Sequence, residues 1–368
     1  MVTVYINGRF LTQSTTGVQR VAIEVVKSLD DLIADGVIHP DCSFKILAPK
    51  HIKQQLSLRH IPIMQVGRLT GHAWEQIELP LYSGGNLLLN LCGPAPLLKR
   101  KQIVTIHDAA VFANSENFSA KFTAWYRFLF RSLKYRSKKW ITVSQFSKDE
   151  LQKYVRIREQ NISVYHLGAD HMEKTQADPR ILQKHELTDG GYILAVSSKS
   201  PNKNFGAIIQ SLELLQAADF QCVIVGGAHN PVFQSGKAGV TASSRVKFIG
   251  YVTDEELKAL YEHAACFVFP SFYEGFGLPP VEAMACGCPV IAAESASIPE
   301  VCGSGALYCN PYQAEDIADK IKLLLHNDPL RRQLRQTGQE HAAQYRWRKT
   351  ASGICTEIEN LLYGGGTP

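Results

Sequence analysis

Short runs rich in Val, Ile, Leu and Phe alternate with helical stretches from one end of this chain to the other, and that alternation fixes the fold class. The runs read as strands at 3–6, 44–47, 87–91, 103–106, 141–143 and 163–166, and again at 192–196, 222–225, 246–249, 266–269 and 290–292. Apolar runs of this kind, separated by helices, indicate strands covered on both faces. The expectation is an α/β chain with parallel sheets.

A chain of 368 residues is too long for one ordinary core and suits two domains of roughly 100–200 residues each. Composition shifts near 170–191, where His171-Met172-Glu173-Lys174-Thr175-Gln176-Ala177-Asp178-Pro179 is polar and irregular, and a fresh strand follows Gly190-Gly191. The boundary is placed there, giving domains over 1–180 and 181–345. Ligands in such folds are expected at the carboxyl ends of the strands. The start, Met1-Val2-Thr3-Val4-Tyr5-Ile6, reads as a strand and not as a signal peptide, and no run approaches the ~18 apolar residues of a membrane span. The net charge of +5 is modest and no nucleic-acid-binding motif accompanies it, so nucleic acid is not an expected partner. Nine cysteines, several inside apolar runs (Cys222, Cys266, Cys309), fit reduced thiols and a cytoplasmic location. Cys286 and Cys288 have no second pair at zinc spacing, and no metal is expected.

Residues 266–293, CFVFPSFYEGFGLPPVEAMACGCPVIAA, carry the densest signal. A strand ends at Pro270, and a loop with two glycines lets backbone approach a ligand closely. Pro279-Pro280 suit the first turn of a helix, which Gly287 and Pro289 end. The helix amino terminus favours an anion such as a diphosphate. Glu274 and Glu282, with seven residues between them, are awkward beside phosphate unless they accept hydrogen bonds from the hydroxyls of a sugar or ribose. Taken singly, Glu274 reads as a solvated loop acid and Glu282 as a first-turn acid favourable to the helix dipole.

The stretch EGFGLPPVEAMACGCPVIAA resembles the signature of retaining GT-B glycosyltransferases of family 4, also called glycosyl transferases group 1. Flanking stretches VKFIGYVTDEELKALYEHAACFVFPSFYEGFGLPPVEAMA and SIPEVCGSGALYCNPYQAEDIADKI follow the same family's order. The resemblance covers essentially the second half and is looser in the first. It implies GT-B architecture: two Rossmann-like domains whose parallel sheets face a central cleft, with the last helix, 346–362, packing back onto the first domain. It also implies that Glu282 holds ribose hydroxyls, that Glu274 contacts the transferred sugar, and that the amides of Phe276, Gly277 and Leu278 line the sugar-phosphate site.

Further matches are spread along the chain. Lys203, in Ser197-Ser198-Lys199-Ser200-Pro201-Asn202-Lys203, matches the family's diphosphate-binding lysine. Many members carry Arg where this chain has Ser198 and a basic residue where it has Asn202, which removes a cationic donor from the expected nucleotide-sugar site. Gly17, followed by Arg20 in the first turn of a helical run, resembles the amino-terminal glycine loop that reaches the donor phosphate. His107, at a strand end in Ile106-His107-Asp108, stands where the family places a histidine near the sugar. Trp74-Glu75-Gln76 with Leu79-Pro80 is similar to a subset that handles mannose-type donors. From Lys121 to Trp140 there are seven basic residues and no acid. Helical spacing puts Arg127, Arg131, Lys134 and Lys138 on one face and Phe122, Trp125, Leu129 and Leu133 on the other. That face covers a sheet, and its basic side offers contact with an anionic membrane surface.

The expected reaction is retaining, metal-independent and without a cofactor: transfer of a sugar from a nucleotide-diphosphate donor to a glycan or lipid-linked acceptor in polysaccharide or glycoconjugate biosynthesis. Lys203 and amides stabilise the leaving diphosphate, and His107, Lys203 and Glu274 are the candidate catalytic residues. The expected place is the cytoplasm, peripheral to the inner membrane face. Three rivals remain: a GT-B epimerase or phosphorylase, a non-catalytic nucleotide-sugar-binding protein, and a nicotinamide oxidoreductase. For the last, Asn7-Gly8-Arg9 is a poor start to a glycine fingerprint.

Overall fold

The computed structural model describes residues 2–197, 200–215, 220–226 and 245–364. The chain divides into two compact units: one made of 1–168 and 346–368, the other of 169–345. The boundary expected at 180/181 thus falls at 168/169, because residues 169–180 hydrogen-bond within the second unit. Ala169 donates to the Tyr345 carbonyl at 3.1 Å, and Asp178 to the Glu255 carbonyl at 2.9 Å.

The first unit carries β1 (Val2–Asn7), β2 (Cys42–Ala48), β3 (Ile63–Gln65), β4 (Leu87–Asn90), β5 (Gln102–Thr105), β6 (Lys139–Thr142) and β7 (Ile162–Val164). They form one sheet in the order β3-β2-β1-β4-β5-β6-β7. Every pairing is parallel, and Val4 sits between Phe44 and Leu87. The second unit carries β8 (Tyr192–Ser197), β9 (Gln221–Gly226), β10 (Val246–Gly250), β11 (Cys266–Phe269), β12 (Val290–Ala293) and β13 (Ala306–Cys309). Their order is β10-β9-β8-β11-β12-β13, again all parallel. In each sheet the order reverses beside the first strand, between β1 and β4 and between β8 and β11, and such switch points open a crevice at the strands' carboxyl ends. Two Rossmann-like sheets are present as expected; β3 and β13 were not among the expected strands.

Local chemistry sets the helix starts. Gln19 accepts from the Thr16 amide at 3.2 Å and so anchors the helix Gly17–Ala34, which buries Val21, Val25, Leu29 and Leu32. Ser119 caps the helix Ala120–Leu133 by accepting from the Phe122 amide. That helix corrects the expected basic face. It stops at Leu133, so Lys138 lies beyond it, and Lys139-Trp140 already belong to β6. Arg127 is turned inward, its guanidinium donating to the Val111 and Phe112 carbonyls at 2.8 and 3.2 Å. Leu129, Phe130 and Leu133 are buried, whereas Phe122 and Phe128 are exposed.

The last helix, Trp347–Tyr363, belongs to the first unit. It packs on Gly17–Ala34 and is pinned to the sheet edge by the buried Glu357. That carboxylate accepts from Ser163 and from Tyr165 and lies 3.3 Å from Lys139 Nζ. Gly353 faces the Tyr165 ring with no room for a methyl group. Alanine favours a helix over glycine by roughly 1 kcal/mol, yet overpacking against a rigid ring costs about 1–3 kcal/mol. Gly353→Ala should therefore lower stability in urea unfolding; a stabilised variant would show that the helix does not seat against Tyr165.

Candidate functional site

The second unit concentrates polar groups at the β8/β11 switch point. After β8, Pro201–Lys203 forms a 3₁₀ turn ended by Asn204 in the left-handed conformation, φ 53°. Asn204 fixes this loop to its neighbours by donating to the Pro270 and Pro311 carbonyls at 3.1 and 2.6 Å. Phe272 donates its amide to the Asn202 carbonyl at 2.9 Å, so the loops after β8 and β11 are stitched together. The result is a direct contact between two residues 71 positions apart: Lys203 Nζ meets Glu274 Oε1 at 2.7 Å. The ammonium also lies 4.9 Å from the centre of the Phe269 ring. Both side chains are mostly shielded but not sealed.

Beyond Glu274 the chain turns into the helix Leu278–Ala285 through Gly277, whose φ of 91° suits glycine. A Cβ there would also come within 2.5 Å of Ile298 Cδ1. Pro279 and Pro280 carry no N–H, so of the first three helical positions only Leu278 retains a backbone donor. The Phe276 ring is buried edge-on against Tyr345, 5.5 Å between centres, and contributes packing from its side chain. Ser297 donates to the Glu274 carbonyl at 2.9 Å and steadies the loop. The helix ends as expected at Gly287, φ 72°, with the Cys288 amide bonded to the Ala283 carbonyl and the Gly287 amide to that of Met284.

Glu282 lies one turn into this helix and is buried. His171, read from sequence as part of an irregular linker, places Nε2 3.1 Å from Glu282 Oε1 and is itself buried. Tyr261 is buried too, and its hydroxyl is held protonated, well above the usual range, by burial first and by Glu282 next. Sequence spacing gave no signal for His171, which is 111 positions from its partner. Ser198 lies outside the described residues.

The other two expected site residues belong to the first unit. Gly17 opens its helix at an exposed position where an added Cβ would meet nothing within 4 Å. The following residue, Val18, accepts from Cys92 Sγ at 3.7 Å. His107 follows β5, and its Nε2 lies 2.9 Å from the Leu91 carbonyl, so the segment 91–92 touches both neighbourhoods. Arg20 lies 3.7 Å from Glu24 on its own helix. All nine cysteines are free, and burial raises the Cys222 and Cys266 thiols to about 12. Among the described residues no group of three His, Cys, Asp or Glu side chains is placed to hold a metal, and no helix is long and apolar enough to cross a membrane.

Two all-parallel Rossmann-like units, each with a switch point beside its first strand, define the GT-B fold. The chain belongs to glycosyl transferases group 1, whose family model matches residues 178–341. It is 31% identical over 277 residues to O-antigen chain mannosyltransferase B of Escherichia coli, covering 73% of this chain and 71% of that protein. It is 33% identical over 229 residues to O-antigen chain mannosyltransferase RfbU of Salmonella typhimurium, covering 62% of this chain but only 61% of the relative. In fold it is similar to the crystal structure of Anabaena HepE in complex with UDP-glucose, with a TM-score of 0.73, 16% identity, and 98% of this chain and 100% of that chain covered.

Burial pushes the His107 imidazole below its ordinary value, against the opposing pull of the Leu91 carbonyl. As pH falls, the unfolded chain takes up this proton near its ordinary pKa of about 6.5 while the folded protein does not, so stability is lost through and below that pH. His107→Gln should accordingly show a smaller drop in Tm than wild type between about pH 7.5 and about pH 5.5. Identical slopes would mean that the folded protein protonates His107 as readily as the unfolded chain.

Proposed function

We propose that this glycosyltransferase moves a mannose-type sugar from a nucleoside diphosphate donor to a glycan or lipid-linked acceptor, with retention of configuration and without a metal. The observation that carries the reading is the 2.7 Å contact of Lys203 with Glu274 at the β8/β11 switch point, beside the start of the helix that bears Glu282. Membership of the family and the names of the O-antigen mannosyltransferases support it, as does the UDP-glucose held by the structurally similar HepE.

In this mechanism the donor's diphosphate takes Lys203 from Glu274, and the freed carboxylate accepts from hydroxyls of the sugar. Lys203 and the amides of Phe276, Gly277 and Leu278 stabilise the charge that grows on the leaving diphosphate. Glu282 binds the ribose, with His171 holding its other contact. The family resemblance assigns Gly17 to the donor phosphate and His107 to the transferred sugar, and these roles are part of the proposal. The acceptor hydroxyl attacks on the face from which the phosphate departs, and the leaving phosphate takes its proton. The proposed setting is polysaccharide biosynthesis on the cytoplasmic face of a membrane.

Because Glu282 touches a part of the donor that does not react, Glu282→Ala should weaken UDP or GDP binding together with donor affinity. Loss of a charged hydrogen bond costs roughly 1.5–3 kcal/mol, or about ten- to a hundred-fold. Glu274→Gln should lower turnover and leave nucleotide affinity nearly intact, and EDTA should leave most of the rate. Calorimetry paired with saturation kinetics on a panel of nucleotide sugars reads both. Exchanged effects would reverse the two roles, rate lost to EDTA and restored by magnesium would overturn metal independence, and binding without turnover would favour a non-catalytic sugar-nucleotide binder.

The membrane contact is proposed on a revised surface of the helix Ala120–Leu133 and the turn after it: exposed Lys121 and Arg131, with Phe128 and Tyr135 exposed by 56 and 77%. Flotation with vesicles containing phosphatidylglycerol should decrease at high salt and in Arg131→Glu. Salt-independent flotation, unchanged by that substitution, would remove the surface from consideration.

A further inference from the structure

The first unit has its own buried ionic centre at its switch point, and the reading above makes no use of it. Asn7 ends β1, Asn90 ends β4, and Asn7 Nδ2 donates to Asn90 Oδ1 at 3.0 Å. Asn7 Nδ2 also donates to Glu75 Oε1 at 2.8 Å, and Arg9 Nε donates to the same oxygen at 3.0 Å. Glu75 is 1% exposed. Its second oxygen, Oε2, is buried with no hydrogen-bond partner, and His72 Nδ1 lies 3.3 Å from it.

A buried carboxylate with one oxygen unbonded is a poor structural device. Half-satisfied buried ions destabilise, and an apolar side chain of similar size would serve the core as well or better. The arrangement makes sense if Glu75 serves His72, whose side chain is 44% exposed. A small rotation of the imidazole lets Nδ1–H donate to Oε2. That fixes the proton on Nδ1 and turns Nε2 outward as an acceptor. Glu75 lies in a π-helix over Trp74–Glu78, a feature frequent at functional sites, and His72 in the short α-helix Gly71–Ala73 that runs directly into it. The Trp125 and Tyr126 rings lie 6.4 and 6.3 Å from the imidazole, both edge-on.

A hydroxyl acceptor beside aromatic walls, in a crevice at the carboxyl ends of a parallel sheet, is chemistry suited to a pyranose. We propose that His72, oriented by Glu75, contacts a hydroxyl of a sugar bound by the first unit, with Trp125 as a wall of that subsite. His72 is the binding residue, and Glu75, backed by Arg9 and Asn7, is a positioning residue. The identification of this sugar as the acceptor rests on the glycosyl-transfer reading above.

The test uses the full chain labelled with ¹⁵N-histidine and titrated with the methyl glycosides of mannose, glucose, galactose, N-acetylglucosamine and rhamnose. At least one should shift the His72 imidazole signals, which are assigned by their loss in His72→Phe. Affinity for that glycoside should fall at least tenfold in His72→Phe and less in His72→Gln. The nitrogen shifts should place the wild-type proton on Nδ1, and Glu75→Gln should weaken that preference, an effect that packing alone does not produce. Should Glu75→Gln fail to fold, the exposed His72 variants still decide the matter. If no glycoside moves His72, or if His72→Phe binds as tightly as wild type, the proposal is overturned. Calorimetry with UDP and GDP on the same samples should give unchanged affinities. Their failure to bind wild type would sink the donor reading while leaving the sugar contact at His72 standing.

Discussion

A strand buried on both faces has no place for a polar side chain except at its ends. β1 and β4 are apolar in their cores and finish in Asn7 and Asn90; β8 and β11 give way to Lys203 and Glu274 only after the strands stop. Because every pairing is parallel, all the strands of a sheet finish on the same edge. Burial thus drives polar chemistry out of the sheet interior, and parallel direction gathers it along one border. The switch in strand order then parts the helices at one place on that border, where side chains far apart in sequence can meet.

That rule explains how much could be read from sequence. β4, β8, β9, β11 and β12 declare themselves because their interiors are runs of apolar residues. β3 did not, since it is three residues at a sheet edge with Met64 and Gln65 exposed. β13 did not, since its four residues follow directly on the glycine-rich turn Gly303–Gly305 and are only partly buried. Along 121–140 periodicity was extended past its physical limit. A helical wheel cannot register that Lys134-Tyr135-Arg136 turns the chain into a strand, or that Arg127 has carbonyls to satisfy. In the second unit the glycine loop, the double proline and the spaced glutamates lie within one short stretch and were legible. His171 against Glu282 and Asn7 against Glu75 and Asn90 were not, because only the folded sheet brings such distant positions together.

The two ionic pairs differ in how they are housed. Lys203 and Glu274 keep enough exposure to exchange partners, so neither charge is locked away. Arg9 and Glu75 are sealed beneath the surface, and their attraction fixes geometry rather than offering a mobile charge. A site that must release a highly charged product suits the first arrangement, whereas one that must present a neutral hydrogen-bonding group in a set direction suits the second.

The first unit is discontinuous in sequence, and this has a bearing on synthesis. Domains emerge and fold in order from the amino terminus, but the helix Trp347–Tyr363 that covers Gly17–Ala34 and anchors through Glu357 is made after the whole second unit. The earlier-made portion must therefore wait on the ribosome with an apolar helix face uncovered, while the contiguous 169–345 can close first. The order in which the two units reach their final packing is the reverse of the order in which they begin, and the nascent chain's need for protection from aggregation is greatest in that interval.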